Sequence, residues 1–136
     1  MSVIHAAQPS SKFTVEEYVA YWLRELGLIH DFKVEDISKG SNLYQVHVQK
    51  TVDAAPVLIT DVGFGISQIL PVIALCYCVP EGSTIILEQP EIHLHPSVQA
   101  GLADVFVDAS KVRRIQIIVE SHSEHLLRRL QRRIAE

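Results

Sequence analysis

The sequence predicts an α/β domain in which a mostly parallel sheet is flanked by helices and preceded by a helix and an antiparallel hairpin. Two β-branched runs, "STIILE" (83–88) and "RIQIIVES" (114–121), alternate with helical segments in the second half of the chain. The order strand, helix, strand, helix is typical of parallel sheets covered by helices. The chain has 136 residues, 48% of them hydrophobic, which suits one domain with one core.

The segment "TVEEYVAYWLRELGL" (14–28) predicts an amphipathic helix. Thr14 is a favourable N-cap with Glu17 three residues later, a capping box, and Gly27 is a stop signal. Apolar residues recur at helical spacing along one side of the segment. We expect its aromatic side chains to fill the core and its interfaces: Tyr18, Tyr21 and Trp22.

Two strands are predicted next. "FKVEDI" (32–37) and "LYQVHV" (43–48) alternate apolar and polar residues, and "SKGSN" (38–42) forms the turn between them. Because the pattern is half-exposed, it favours an antiparallel pair.

Three further helices are predicted after this hairpin. "GISQILPVIALCYCV" (65–79) indicates a buried helix that follows a glycine-rich turn, with Pro71 near its first turn, where proline does least harm. "HPSVQAGLADVFVDA" (95–109) predicts a helix with a proline near its start. "SEHLLRRLQRRIAE" (123–136) predicts a last helix capped by Ser123.

Charge and hydropathy exclude some classes of protein. Because its net charge is −4, the chain as a whole is not expected to attract nucleic acid electrostatically. The longest apolar stretch, 66–80, is too short and too interrupted to span a bilayer, and the N-terminus lacks the pattern of a signal peptide. Cys76 and Cys78 lie on different faces of one helix, and we expect both to be buried and reduced. We therefore expect a cytoplasmic protein without a membrane partner.

Polar side chains follow both buried strands. Glu88, Gln89 and Glu91 follow the first, and Glu120, Ser121 and His122 follow the second. If the strands are neighbours, the two groups share the sheet edge where α/β proteins bind ligands, although polar loop residues follow most strands of this kind. In a third cluster, "DVGFGISQ" (61–68), two glycines and a serine lie at the start of a predicted helix. It is either a phosphate-binding turn or an ordinary tight turn.

The three clusters, in this order, resemble motifs of the ATP-binding-cassette-type ATPases, within them the overcoming-lysogenization-defect and SMC-like branch of AAA-labelled ATPases. Bacterial proteins with a C-terminal domain of unknown function have the most similar layout. "VGFGISQILP" resembles the signature motif, "TIILEQPEIHLHP" resembles Walker B running into the D-loop, and "IIVESHSEHLL" resembles the switch-histidine loop. The resemblance covers roughly residues 42–136 and implies the C-terminal part of such an ATPase head. Residues 1–41 would add a helix and a leading strand.

The resemblance implies ATP and Mg²⁺ as cofactors. Glu88 stands at the Walker B acid that holds Mg²⁺, and His122 stands at the switch histidine that hydrogen-bonds the γ-phosphate. A homodimer is implied because the signature residues of one subunit would contact the γ-phosphate held by the other: Gly63, Gly65, Ser67 and Gln68. Since relatives act on DNA, DNA is also a candidate partner, in defence against phage or in DNA metabolism.

Two departures from the family pattern matter. Gln89 occupies the position of the glutamate that activates water, and an amide can orient water but cannot take its proton. Glu91 is a candidate substitute for this base, or it faces the dimer interface. No G-x-x-x-x-G-K-[ST] occurs in the sequence, so the Walker A half of the same ATPase is an implied partner. We predict slow turnover, with ATP acting mainly as a dimerising switch, and weak or no ATP binding by this chain alone.

Rival interpretations stay open at this stage. His93 and His95, with Glu91 nearby, fit a zinc or manganese site if the segment is extended. Ser121, His122 and Ser123 suggest a hydrolase dyad, although no G-x-S-x-G accompanies them. The arginines indicate a solvated helix face or a nucleic-acid surface: Arg113, Arg114, Arg128, Arg129, Arg132 and Arg133. A non-enzymatic interaction domain, in which a fragment keeps the ATPase fold, is the alternative to the ATPase module.

Overall fold

The computed structural model describes residues 13–38 and 43–136; the start of the predicted segment 1–41, residues 1–12, and most of the predicted turn, 39–42, lie outside these residues. The elements follow in the order α1 (Val15–Glu25), β1 (Asp31–Asp36), β2 (Tyr44–Gln49), β3 (Val57–Leu58), a 3₁₀ turn (Ile59–Asp61), α2 (Phe64–Cys78), β4 (Thr84–Glu88), α3 (Pro96–Arg113), β5 (Gln116–Glu120) and α4 (Glu124–Ala135). In the described part of the chain, no helix is long and apolar enough to cross a membrane.

Helix α1 begins with the predicted capping box. The Thr14 hydroxyl accepts the N–H of Glu17 at 3.2 Å, and the Glu17 carboxylate accepts the N–H of Thr14 at 2.7 Å. The helix ends at Glu25, and Gly27 follows with a φ of 69°. That left-handed conformation is the reason a glycine terminates the helix here.

The predicted hairpin forms and gains a third strand. β1 pairs antiparallel with β2, with Val34 opposite Val46, and β2 pairs antiparallel with β3. Strand β3 was not predicted because its two residues are too few to show an alternating pattern.

Strands β4 and β5 pair in parallel, as predicted, but the predicted mostly parallel sheet is not found. In the described residues, the parallel sheet has two strands and the antiparallel sheet has three. Inward-facing residues of β4, Ile85 and Leu87, join the core, whereas Ile86 is 69% exposed and Ile118 of β5 is 49% exposed. We call the surface around Ile86 and Ile118 the uncovered sheet face.

Aromatic residues from α1 and α2 meet within the core. The indole N–H of Trp22 donates to the Tyr77 hydroxyl at 2.6 Å, and the ring of Tyr18 stacks on that of Tyr77 with centroids 4.0 Å apart. Tyr18 and Trp22 are buried and Tyr21 is half-buried, which confirms the predicted role of these side chains.

Pro71 does not lie near the first turn of its helix, so that prediction is wrong. Helix α2 begins at Phe64, which makes Pro71 the eighth of its 15 residues. An interior proline forfeits one hydrogen bond and costs about 3 kcal/mol. Helix α2 continues through it because burial of the apolar side chains at 66, 69, 73 and 77 offsets that cost.

The two cysteines have different environments, contrary to the prediction that both are buried. Cys76 is fully buried, and burial raises the pKa of its thiol to about 12. Cys78 is exposed. Residues two apart on a helix lie on different faces, and here only the face of Cys76 meets the core.

Candidate functional site

The carboxyl ends of β4 and β5 form one edge, as the sequence predicts for neighbouring strands. Glu88 and Glu120 are register partners at the last position of each strand. Register partners project to the same side of a sheet, and the alternation of exposed residues places both carboxylates on the side of Ile86 and Ile118. Two exposed carboxylates therefore border the uncovered sheet face.

The turn after β4 has an unusual backbone. Gln89 has a φ of 45° and its N–H donates to the carbonyl of Glu120 at 2.8 Å, which extends the parallel ladder by one bond. The chain then turns through Ile92, whose N–H bonds to the carbonyl of Gln89 at 3.1 Å. His93 has a φ of 64°. Left-handed conformations are uncommon for residues with a side chain, and here they fold the segment tightly against β5.

Glu91 links this turn to the loop after β5. Its side chain is only 5% exposed, and its Oε1 accepts the Ser121 hydroxyl at 2.7 Å and the backbone N–H of His122 at 2.9 Å. Burial alone raises the pKa of Glu91, but the hydrogen bonds from Ser121 and His122 outweigh it and hold the pKa below its ordinary value. The Oε2 atom is buried and has no partner among the described residues.

The hydrogen-bond network continues into both flanking helices. The Ser123 hydroxyl caps α4 by accepting the N–H of Leu126 at 3.1 Å and donates to the amide oxygen of Gln99 at 2.6 Å. The Gln99 amide nitrogen in turn donates to the carbonyl of Leu94 at 2.9 Å. Sequence reasoning did not find Gln99; its place one turn after the predicted start of α3 was the available signal.

The N-terminus of α2 carries the predicted signature residues. Gly63 has a φ of 84° and supplies no side-chain cap, so backbone N–H groups form the end of the helix. The Ser67 hydroxyl donates to the carbonyl of Phe64 at 3.0 Å. Gly65 and Gln68 are half-buried, and the amide oxygen of Gln68 is buried without a partner among the described residues.

An aromatic contact joins the N-terminus of α2 to the turn after β4. The exposed ring of Phe64 meets that of His93 edge to face, with centroids 6.5 Å apart. The structure thus brings Glu88, Gln89, Glu91 and His122 into one cluster and places the α2 N-terminus beside it through this aromatic pair.

The geometry does not support the rival sites. The metal interpretation assumed an extended segment, but His93 is left-handed, and His95 Nδ1 accepts the N–H of Ser97 as the cap of α3. Among the described residues, no group of three or more His, Cys, Asp or Glu side chains could hold a metal. The hydroxyls of Ser121 and Ser123 donate to Glu91 and Gln99, so neither donates to an imidazole.

The arginines of α4 are paired with carboxylates. Arg129 forms a two-pronged contact with Asp104 of α3, with a shortest distance of 3.0 Å, and Arg133 approaches the same carboxylate at 3.3 Å. Arg128 pairs with Glu124 of its own helix, and Arg132 pairs with Glu136, the residue that follows the helix. The pairing agrees with a solvated helix face. Of the apolar residues opposite, Leu126 is buried, but Leu127 and Ile134 are exposed.

Comparisons with known proteins connect the chain to a protein family and to solved structures. A family model described as "AAA domain, putative AbiEii toxin, Type IV TA system" matches residues 13–128. A solved structure described as "Structural biochemistry of ATP-driven dimerization and DNA stimulated activation of SMC ATPases" superposes with a TM-score of 0.67 at 12% identity, covering 85% of this chain and 71% of that chain. No curated protein matches. The structural likeness concerns the fold alone.

Proposed function

The chain belongs to this AAA-domain family, and from that premise we propose that it is part of an ATP-binding and ATP-hydrolysing module that completes a nucleotide site across a dimer. The proposal is based on one observation: two loops meet at the same edge of the parallel sheet. The turn after β4 bears Glu88 and Gln89, the loop after β5 bears His122, and Glu91 bonds one to the other. Ligands of open α/β sheets bind beyond this edge.

Glu88 is the proposed ligand of Mg²⁺. Its carboxylate is exposed at the end of β4, beside that of Glu120, and oxygen ligands of this kind suit a hard divalent cation. A bound Mg²⁺ would neutralise charge on the β- and γ-phosphates. Glu88 itself would hold the cation, usually through water.

Gln89 and His122 are the proposed groups at the γ-phosphate. The Gln89 amide would orient the attacking water without taking its proton, so we propose slow turnover. Phosphoryl transfer depends mainly on positioning and charge, so an amide at this position slows the reaction without abolishing it. The exposed imidazole of His122 would donate a hydrogen bond to the γ-phosphate.

The N-terminus of α2 would complete the site of a second subunit. Backbone N–H groups at a helix start attract phosphate, and Gly63 and Gly65 leave room for a close approach. Ser67 would turn its hydroxyl from the carbonyl of Phe64 to a phosphate oxygen, and Gln68 would add a polar contact. This arrangement requires a homodimer.

The uncovered sheet face is the proposed contact with the Walker A half. Strands of parallel sheets are normally covered on both faces, yet Ile86 and Ile118 are exposed here. A strand-and-helix segment bearing the P-loop would cover these side chains and bring phosphate-binding groups next to Glu88. DNA stays a candidate partner of the assembled protein. Arg114 is exposed and would be available to contact it. The α4 arginines would be less available, because they are paired with carboxylates.

A non-enzymatic interaction domain is the second candidate function. The same exposed residues, Ile86 and Ile118, favour it, because a partner could cover them without forming a nucleotide site. In that case the glutamine at position 89 would indicate that the chain has lost ATP turnover.

The test is steady-state phosphate release by the full-length gene product with Mg-ATP, beside a His122→Ala variant. Slow release that requires Mg²⁺ and falls by at least about 100-fold in His122→Ala is the expected result. Arg128→Ala, an exposed change on α4, is the matched control and should leave the rate unchanged. ATP binding without release would support a switch, and no binding at all would overturn the ATPase proposal in favour of the interaction domain.

A further inference from the structure

Glu91 is the one charged side chain that is buried among the described residues, with 5% of its surface exposed. A buried carboxylate is costly unless hydrogen bonds compensate it. It lies in the turn between β4 and α3, and it belongs to neither β4 nor β5. Glu91 is therefore not an ordinary solvated surface carboxylate, and its burial needs an explanation.

The hydrogen bonds of Glu91 are directed at one loop. Both donors, the hydroxyl of Ser121 and the backbone N–H of His122, approach the same oxygen, Oε1. Bonds to an ionised acceptor are short and roughly twice as strong as neutral ones. The Ser121 oxygen also accepts the N–H of Ser123 at 3.1 Å, so the carboxylate orders three consecutive residues around His122.

We propose that Glu91 is a positioning residue, which holds the backbone of His122 so that its imidazole points from the loop toward the nucleotide. The inference rests on the proposed function and names how one residue of that site is set in place. It differs from the expectation that Glu91 substitutes for the missing base. Oε1 is occupied by two donors, and Oε2 is buried, so neither oxygen is open to an attacking water.

The positioning role and the base role predict different results for the substitution Glu91→Gln. Glu91→Gln keeps a carbonyl-type oxygen that accepts both hydrogen bonds, but an amide cannot take a proton. Glu91→Ala removes both the acceptor and any base. A positioning residue therefore tolerates glutamine and not alanine, whereas a base tolerates neither.

The first measurement is kcat and KM for ATP in the full-length gene product. We expect Glu91→Gln to keep kcat within about 3-fold, and Glu91→Ala to lower kcat by at least about 10-fold while KM changes by less than about 3-fold. Asp104→Asn is the control for a general loss of stability, because it loosens α4 without touching the loop, and it should keep kcat. Equal losses in Glu91→Gln and Glu91→Ala would overturn the proposal and favour the base.

A second measurement does not depend on turnover. Hydrogen exchange at the His122 amide, followed by NMR, should be slow in the parent and in Glu91→Gln and at least about 10-fold faster in Glu91→Ala. Unchanged exchange in Glu91→Ala would overturn the positioning role even in an active protein. If the parent neither binds nor hydrolyses ATP, the proposed function fails, and exchange alone decides whether Glu91 holds the loop. Should Glu91→Ala not fold, Ser121→Ala, which removes one donor, is expected to speed the same exchange, and no change would contradict the proposal.

Discussion

The hydroxyl of Tyr77 donates a hydrogen bond of 2.6 Å to Oδ2 of Asp108, which ties α2 to α3. The same oxygen accepts the indole N–H of Trp22, so one hydroxyl links three helices. Burial, and then the bond to Asp108, raise the pKa of Tyr77 far above its ordinary value. The phenol therefore stays protonated throughout the neutral range and serves as a permanent link.

Removing this link is expected to destabilise the chain. Tyr77→Phe leaves the indole N–H and the Asp108 carboxylate without their shared partner, and an unpaired buried group costs about 1–3 kcal/mol. Urea denaturation followed by the fluorescence of Trp22, the single tryptophan, measures the loss. Tyr44→Phe is the control, since Tyr44 is 61% exposed. Equal stability of the two variants would show that the link through the Tyr77 hydroxyl contributes nothing to the free energy of unfolding.

The cysteines should differ in reactivity. The thiolate is the reactive form, and a pKa of about 12 leaves Cys76 protonated at pH 8, behind buried side chains. A thiol-reactive chromophore should label one cysteine in the native chain and two in urea. Native Cys78→Ser should not be labelled. Rapid native labelling of Cys76 in that variant would contradict its burial.

The cap of α3 is a histidine, and its contribution can be measured. His95 accepts the N–H of Ser97 through Nδ1 at 3.3 Å. Loss of an N-cap acceptor lowers the free energy of unfolding by about 0.5–2 kcal/mol, so His95→Ala should be destabilised by that amount. His95→Asn, which restores a good cap, should recover most of it. Identical stabilities for alanine and asparagine would rule out a capping role.

Ile85 and Ile86 test the two faces of the parallel sheet. Ile86→Lys should change the free energy of unfolding by less than about 0.5 kcal/mol, because the side chain is exposed. Ile85→Lys should unfold the chain, since it buries an unpaired charge. Ile86→Lys should nevertheless reduce phosphate release by the full-length gene product if a P-loop segment covers this face. Undiminished release would place that segment elsewhere.

Local signals in the sequence predicted most of the elements. The capping box at Thr14 and Glu17, the cap at Ser123 and the alternation along β1 and β2 are properties of a few neighbouring residues, and each was confirmed. The adjacency of β4 and β5 also followed from the order of the elements. These features depend on short-range chemistry and chain order, which a sequence displays directly.

Long-range features were not predictable in the same way. The exposure of Cys78 and the uncovered sheet face depend on which elements are present to cover a surface. Helix α2 passes Pro71 because its other residues are buried, a tertiary effect that overrides local propensity. The sequence indicated Glu91 as a polar residue after a strand, but its bonds to Ser121 and His122 join positions about thirty residues apart.

The pairing of β4 with β5 also has a kinetic consequence. Thr84 and Gln116, bonded at one end of the ladder, are separated by 32 positions, so the chain between them, which includes α3, must close into a loop for the strands to meet. Closing a loop of that length precedes any gain from the contacts it makes, and such non-local pairings form late and slowly. We therefore expect the sheet edge that carries Glu88 and His122 to assemble after the local contacts of the β1–β2 hairpin, because it waits for that loop to close.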